Sequence, residues 1–541
     1  MDDNKNTLED NLKLNCNNIN NEEIEMNSRN LLSDKTEIKK NYEPAWHDVL
    51  PQVIASCISF GIVIQAGVNM AYSTVLIDGL SSNKSDIAID TTQTAWITSL
   101  VTLSTPIGSL MAGPLMDNYG RKRICIATCF PIILSWIFLS FTKSIIIIFI
   151  ARILGGIGSG LTTVSLVYTM EITHPRVRGM LLCVNSIAVA FGILLSCLLA
   201  LFLNWREMAM FFIALNILIF FALIFIIPES PYWLVYFAND DRNERDKKIH
   251  KSLKFLNPKP MIYEQEYSRI QEINCLRQQS KAKSLCDIFK NENWKIMTTP
   301  NVYKPLILLI LIILAQQLSG TYVVIFYAIS VFRNIGGEFN NGLNEYGALL
   351  LLGIIRFVTS IITAFLSRSI GRRTLCITSG IGMTISMFIA AIYLYTMLLI
   401  DENNQLMMIL TEHKWILLCV ILFYVFTSSF GFAVIPWTLI GELLPISFRG
   451  IGGGFMVSFA YIVMFIVVQN YPNAIVTLGP ENIFLFFGIM SLIGTIIIHY
   501  FLPETLGKSL IEIEKYFSTD KYLKIIRNNS NNNYCLQQIK I

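Results

Sequence analysis

Residues 304–328 read KPLILLILIILAQQLSGTYVVIFYA. After Lys304 the stretch holds no charged residue, and it exceeds the ~20 apolar residues that an α-helix needs to cross the hydrocarbon core of a bilayer. Two adjacent amides, Gln316 and Gln317, interrupt it near its middle. An amide carries both donors and acceptors, so a pair of them at membrane depth calls for a polar partner.

Eleven more stretches of this kind lie along the chain, near 51–73, 94–116, 124–142, 145–170, 180–203 and 208–227, then 344–366, 374–400, 415–440, 451–471 and 483–502. The composition agrees: 53% of the 541 residues are hydrophobic and 15% charged, with a mean hydropathy of +0.53. A chain so apolar and so long does not form one soluble core. Its net charge of +4 gives no footprint for nucleic acid. The reading is an all-α membrane protein of twelve transmembrane helices. Residues 1–45 form a polar cytosolic tail, 46–227 a six-helix bundle, 228–303 a cytosolic central loop, 304–502 a second six-helix bundle, and 503–541 a second tail. The first tail is rich in Asn, Glu and Lys and lacks an apolar signal region, so it reads as disordered, with the first span serving as an uncleaved signal-anchor.

Orientation follows from the positive-inside rule. Alternate short loops carry Arg121, Lys122 and Arg123, then Arg176 and Arg178, then Arg368, Arg372 and Arg373; the opposite loops hold little beyond Lys84, Lys143, Arg206, Arg333 and Lys414. Both termini and the central loop are therefore expected in the cytosol. Asn83-Lys84-Ser85 then lies outside as a glycosylation acceptor, a sequon that chance supplies about as readily. None of the eleven cysteines falls in an expected external loop, so no disulfide framework is expected. Cys125 and Cys129 stand one helical turn apart, but no His or acid accompanies them, and they read as small buried hydrophobes rather than metal ligands. The run Gly155-Gly156-Ile157-Gly158-Ser159-Gly160 resembles a nucleotide loop but lies inside a span, where close helix packing explains it. Neither a metal cluster nor a catalytic triad is present in the pattern, so no cofactor and no enzymatic activity are expected.

The two halves repeat one another. Gly120-Arg121-Lys122 matches Gly371-Arg372-Arg373; Glu171…Arg178-Gly179 matches Glu442…Arg449-Gly450; Pro228-Glu229-Ser230 matches Pro503-Glu504-Thr505. Three pairs in the same order at equivalent loops mark a duplicated six-helix unit, the sequence pattern of a transporter whose site lies where the halves meet. The acids and bases Asp117, Arg121, Glu171, Arg178, Arg372, Glu442 and Arg449 fall where spans emerge on the expected inner side. Paired across the halves, they would latch the inner mouth. The bases alone are also explained by topology.

Span eight carries the sharpest internal signal. Arg356, Thr359, Ser360, Thr363 and Ser367 recur on one helix face, with Arg356 near mid-span at roughly 15 Å from either interface at ~1.5 Å per residue. An arginine facing lipid there would cost at least ~2.5–3.5 kcal/mol, so the stripe is expected to face water or a partner. Tyr424, Thr427, Ser428 and Gly431 repeat the pattern in span ten. Helix–helix hydrogen bonding accounts equally for the Ser and Thr residues, but not for the arginine.

The strings Asp117-Asn118-Tyr119-Gly120-Arg121-Lys122, Gln316-Gln317-Leu318-Ser319-Gly320, Pro436-Trp437…Gly441-Glu442 and Pro503-Glu504-Thr505-Leu506-Gly507 together resemble the sugar porter family of the major facilitator superfamily, and within it the insect facilitated trehalose transporter-like group. The resemblance covers roughly residues 45–520. It implies alternating access, a sugar as the solute, residence in the plasma membrane, and sugar contacts at Gln316, Gln317 and Trp437, whose indole would stack on a sugar ring. Tyr322, Arg356, Ser186 and Ala460 stand where the family's glucose carriers have amides, and Arg368 where the family has an acid. Proton-driven members keep an acid in the first span; Val53–Tyr72 has none, only Gln65 and Asn69, which implies facilitated diffusion of a hexose or a disaccharide such as trehalose. The alternatives are a carrier of a non-sugar or anionic solute, motivated by Arg356, and a non-transporting sugar sensor.

Overall fold

The computed structural model describes residues 48–81, 89–236, 242–279, 300–336, 345–367, 369–399, 415–444, 449–506, 513 and 516–517. Among them, twelve helices are long and apolar enough to span a bilayer: Leu50–Ser81, Thr92–Tyr119, Arg121–Phe141, Ile145–Ile172, Val177–Leu199 and Trp205–Phe225, then Pro300–Phe326, Glu345–Leu366, Arg372–Leu399, Trp415–Leu443, Gly452–Leu478 and Pro480–Phe501 (spans 1 to 12). No strand occurs among the described residues. Asn83 and Arg368 lie outside the described residues, and so does the side chain of Arg449.

Spans 1 and 11 run further than their apolar cores suggest. Their final stretches carry small polar residues whose hydroxyls bond back onto the helix, as Ser73 does to the Asn69 carbonyl (2.9 Å) and Thr477 to that of Asn473 (2.9 Å). Such residues lower hydropathy without breaking the ladder.

Three spans are interrupted. Span 4 turns at Thr162 between Ile145–Leu161 and Thr163–Ile172. Span 7 breaks after Pro300–Leu318 at Ser319–Tyr322, resumes over Val323–Phe326, and passes into Ala328–Gly336. Span 10 breaks between Trp415–Phe430 and Ile435–Leu443. Gly320 makes the span 7 break possible, because its φ of +84° is open to glycine and costly for other residues. Pro436 at the start of the second helix of span 10 fits there, since the first turn needs no N–H from it.

Spans 2 and 11 pack side by side, as do spans 5 and 8, and these pairs join the first six spans to the last six. Ser109 and Ser458 share a 3.0 Å hydrogen bond across the first pair. The glycine run of span 4 serves packing: a Cβ at Gly156 or Gly160 would run into the backbone of span 2. In the central stretch the chain forms helices Pro231–Tyr236, Arg242–Leu256 and Pro260–Gln279. They rest on the first half through Gln52–Asn257 (2.8 Å), Ser252 to the Glu229 carbonyl (2.5 Å) and Trp233 Nε1 to the Asp117 carbonyl (3.0 Å).

The three repeated motifs meet as one cluster in each half. The Glu229 carboxylate accepts the backbone N–H groups of Arg121 (2.9 Å), Lys122 (3.0 Å) and Ser230 (3.1 Å), capping the start of span 3. Glu504 does the same for Arg372 (2.9 Å), Thr505 (3.0 Å) and Leu506 (3.1 Å) at span 9. Gly120, with φ of +98°, and Gly371 are held glycine because a Cβ at either would collide with the capping carboxylate. The side chain of Arg121 pairs with Glu171 (2.8 Å) and Asp117 (3.4 Å), and Arg372 pairs with Glu442 (2.7 Å). The hydroxyl of Ser230 donates to Glu171, and that of Thr505 to Glu442 (2.9 Å). A latch across the halves was the expectation for Asp117, Arg121, Glu171, Arg372 and Glu442; these ion pairs instead close within each half.

Burial holds the Glu229 carboxyl above the ordinary glutamate range, against the opposing pull of its three N–H donors and of Arg121. An acid whose folded pKa is raised stabilises the fold below its unfolded pKa, and that contribution is lost as pH climbs through the raised value. Glu229→Gln should keep an acceptor at the cap and flatten this decline in thermal stability with pH. Glu229→Ala should destabilise the purified protein by about 1–3 kcal/mol, because it orphans buried N–H groups. Thermal unfolding of both variants across pH 4–8 checks this.

Candidate functional site

The breaks in spans 4, 7 and 10 surround a cavity of about 100 Å³. It is lined from both halves, by Ser159, Thr162, Asn185 and Ser186 on one side and by Tyr322, Arg356, Ser360, Ser429, Trp437 and Tyr461 on the other. It lies toward the end of the bundle that carries the Gly120 and Gly371 clusters.

Five of the residues singled out in the sequence converge here: Ser186, Tyr322, Arg356, Ser360 and Trp437. The Trp437 indole donates to the Tyr322 hydroxyl (2.9 Å) and packs on Tyr461, with ring centres 5.7 Å apart. Arg356 is buried, and its guanidinium lies within electrostatic reach of the Tyr322 and Tyr424 hydroxyls. The two glutamines are placed differently. Gln316 Nε2 donates to the Phe432 carbonyl (2.6 Å), which the break in span 10 sets free, while Gln316 Oε1 and both amide atoms of the buried Gln317 have no partner among the described residues. Neither is among the cavity-lining residues. Of the span 8 stripe, only Arg356 and Ser360 reach the cavity; Thr363 bonds to the Ser429 (3.2 Å) and Phe430 (3.1 Å) carbonyls and joins spans 8 and 10. Arg178 donates to the Thr173 carbonyl (3.0 Å) at the motif end, away from the cavity.

A second intramembrane arginine, Arg152 of span 4, escaped the sequence reading. The signal was present, a lone charge in the run Ile145–Leu161, without the polar stripe that marks Arg356. Arg152 is fully buried; its Nε donates to the Ile97 carbonyl (3.0 Å), and its Nη2 to the Asn69 carbonyl (3.2 Å) and the Ser73 hydroxyl. Around it, Asn69 donates to Ser159 (3.1 Å), and Trp136 donates to Gln65 (3.2 Å). Carbonyls, hydroxyls and amides meet most of this polar core, while Arg152 Nη1, Gln65 Nε2 and Asn69 Oδ1 have no partner among the described residues.

The far end, opposite the motif clusters, is closed by contacts between the halves. Tyr327 bonds to Thr98 of span 2 (2.8 Å), and the Ile329 N–H donates to Thr74 of span 1 (3.1 Å); within the second half Tyr327 also donates to the Val468 carbonyl (3.1 Å). Beyond them, Arg333 pairs with Asp78 of span 1 (2.6 Å) and with Glu345 of span 8 (2.8 Å), and Tyr346 donates to Asp78. Those two carboxylates hold the Arg333 guanidinium above its usual pKa, so it is charged at every accessible pH.

Twelve spans in two repeated halves, with broken helices lining a cavity between them, define a secondary carrier of the major facilitator fold. The chain belongs to the Sugar (and other) transporter family, whose model matches residues 50–517. It is 27% identical over 509 residues to the Facilitated trehalose transporter Tret1 of Apis mellifera ligustica, covering 92% of this chain and 96% of that protein. It is 29% identical over 423 residues to the Facilitated trehalose transporter Tret1-2 homolog of Drosophila sechellia, covering 78% and 81%. Among solved structures it is similar to the proton:xylose symporter XylE bound to 6-bromo-6-deoxy-D-glucose, with a TM-score of 0.68 at 18% identity over 87% of this chain and 100% of that one. The inward-open conformation of XylE from E. coli gives a TM-score of 0.64 at 18% identity, covering 85% and 98%. These structural likenesses establish the shared fold.

The far-end contacts give a direct test. Arg333 is half exposed, so its pairs are worth about 1 kcal/mol, enough to move a two-state equilibrium roughly fivefold. Arg333→Gln should make a cysteine at Ser186 react severalfold faster with an impermeant thiol reagent added from the far end. Alkylation rates, measured in a background without the exposed Cys57 and Cys419, check this.

Proposed function

We propose that the protein carries a sugar across the plasma membrane by alternating access, as facilitated diffusion, with both termini and the motif clusters on the cytosolic side. The observation that carries this reading is a cavity between the halves, lined by hydroxyls, an amide and an indole, and sealed at one end by contacts that cross the halves. Rocking of the halves would break the Thr98–Tyr327 and Asp78–Arg333 contacts and expose the same cavity to the other face. The basic loops at the motif end support the orientation. The trehalose carriers among its relatives support a sugar as the solute.

Size narrows the choice. At ~10–15 Å³ of such space per water, the cavity holds roughly seven to ten water-sized groups, which suits one sugar ring better than two linked rings. The absence of an acid from the Arg152, Asn69 and Gln65 cluster supports uncoupled transport, since those groups offer no carboxylate to take up and release a proton.

Counterflow in proteoliposomes tests the reading. Labelled monosaccharide should exchange against unlabelled sugar, should not be concentrated by an imposed pH gradient, and should acidify or alkalinise neither side. Trp437→Ala, which removes the indole and leaves Tyr322 without its donor, should lower exchange about tenfold, equivalent to ~1.4 kcal/mol of solute binding. Sugar accumulation driven by a pH gradient would overturn the uncoupled mechanism.

A further inference from the structure

The two buried arginines differ in one respect that bears on the solute. Arg152 directs its Nε and Nη2 to two carbonyls and a hydroxyl of the protein and leaves only Nη1 without a partner among the described residues. Arg356 makes no hydrogen bond through its guanidinium to any described residue, and its buried Nε has no partner. It is 6% exposed and stands in mid-span, eleven residues from Glu345 and ten from Leu366, too deep for its head to reach either interface. No carboxylate lines the cavity. Glu345, at the end of the same helix, is committed to Arg333.

A buried guanidinium without a counter-charge is costly, and the charge persists because arginine does not give up its proton. The rest of the lining is neutral: the hydroxyls of Ser186, Ser360 and Ser429 and the Asn185 amide. The balance of donors and acceptors is skewed as well. Guanidinium donates only, so it adds donors to a lining whose acceptors are hydroxyl oxygens and the Asn185 amide. A neutral sugar asks for donors and acceptors in comparable number. A carboxylate asks for donors alone, in the planar two-point geometry that guanidinium presents.

We propose that the cavity selects a monosaccharide that bears a carboxylate, a hexuronate, with Arg356 holding the carboxylate and Trp437 and the hydroxyls holding the ring. This rests on the carrier reading above and names its solute class. Uncoupled carriage of a monoanion moves one negative charge per cycle, so an inside-positive potential drives uptake. At ~2.3 kcal/mol per charge per 100 mV, a 100 mV potential should concentrate the solute about fiftyfold at equilibrium.

The experiment uses the full chain in proteoliposomes with radiolabelled D-glucuronate and D-glucose, and a potassium diffusion potential of either sign. The wild type should concentrate glucuronate when the interior is positive and exclude it when negative. Arg356→Gln should lower the ratio of glucuronate to glucose uptake at least tenfold, and Arg356→Lys should restore part of it. A thermal shift of the purified wild type, larger with glucuronate than with glucose at equal concentration, supports the proposal even if the variants fail to fold. Glucose exchange that glucuronate neither joins nor inhibits overturns the proposal and leaves the sugar carrier standing. Failure of the wild type to move either solute overturns both.

Discussion

Hydrocarbon offers no hydrogen bonds, so a helix may break inside a membrane only where other groups take up the freed carbonyls and N–H groups. That constraint shapes the centre of this protein. The break in span 10 is met by Gln316 at the Phe432 carbonyl, by Thr363 at the Ser429 and Phe430 carbonyls, and by Ser379, whose hydroxyl donates to the Thr427 carbonyl and accepts the Phe432 N–H. The break in span 7 is met by the Tyr424 hydroxyl at the Ser319 carbonyl. Polar residues that look like a solute site in the sequence are thus divided between two tasks. One set holds the broken helices in place; a smaller set, with Arg356, Tyr322 and Trp437 among them, faces the space those breaks create.

The same economy operates at the motif end. Each half builds one cluster in which a glutamate caps the next helix, an arginine pairs with a second glutamate, and a hydroxyl ties the two together. The ion pairs of each cluster close within its own half and brace that half. Contacts between the halves include Thr98–Tyr327 and Asp78–Arg333 at the far end, with Ser109–Ser458 and Cys183–Ser367 nearer the motif end. A carrier that rocks needs stiffness inside each half and breakable contacts between them.

Much of this was legible in the sequence, and what was not has identifiable causes. The twelve spans follow from apolar length, and the duplication from three motif pairs. That Glu229 caps Arg121 was not readable, because 108 residues separate them and the motif strings give no contact. The breaks announced themselves only as Gly320 and Pro436, each inside an apolar run that outweighs a single residue. The family resemblance makes Gln316 a solute contact; its Nε2 donates to a carbonyl of span 10, a partner the sequence did not point to. Arg356 stood out because of the polar stripe around it, whereas Arg152, seven residues into span 4, lies among isoleucines and glycines.

Movement of the halves about the cavity is measured most directly by distances at the two ends. Spin labels at Tyr119 and Thr374 would report the motif end, and labels at Phe202 and Val476 the far end; all four positions are exposed. Rocking predicts reciprocal changes as transported solute is added or Arg333→Gln is introduced, with the far-end distance lengthening in the molecules whose motif-end distance shortens. Two distances that stay fixed while solute is being exchanged, or that lengthen together, would contradict it.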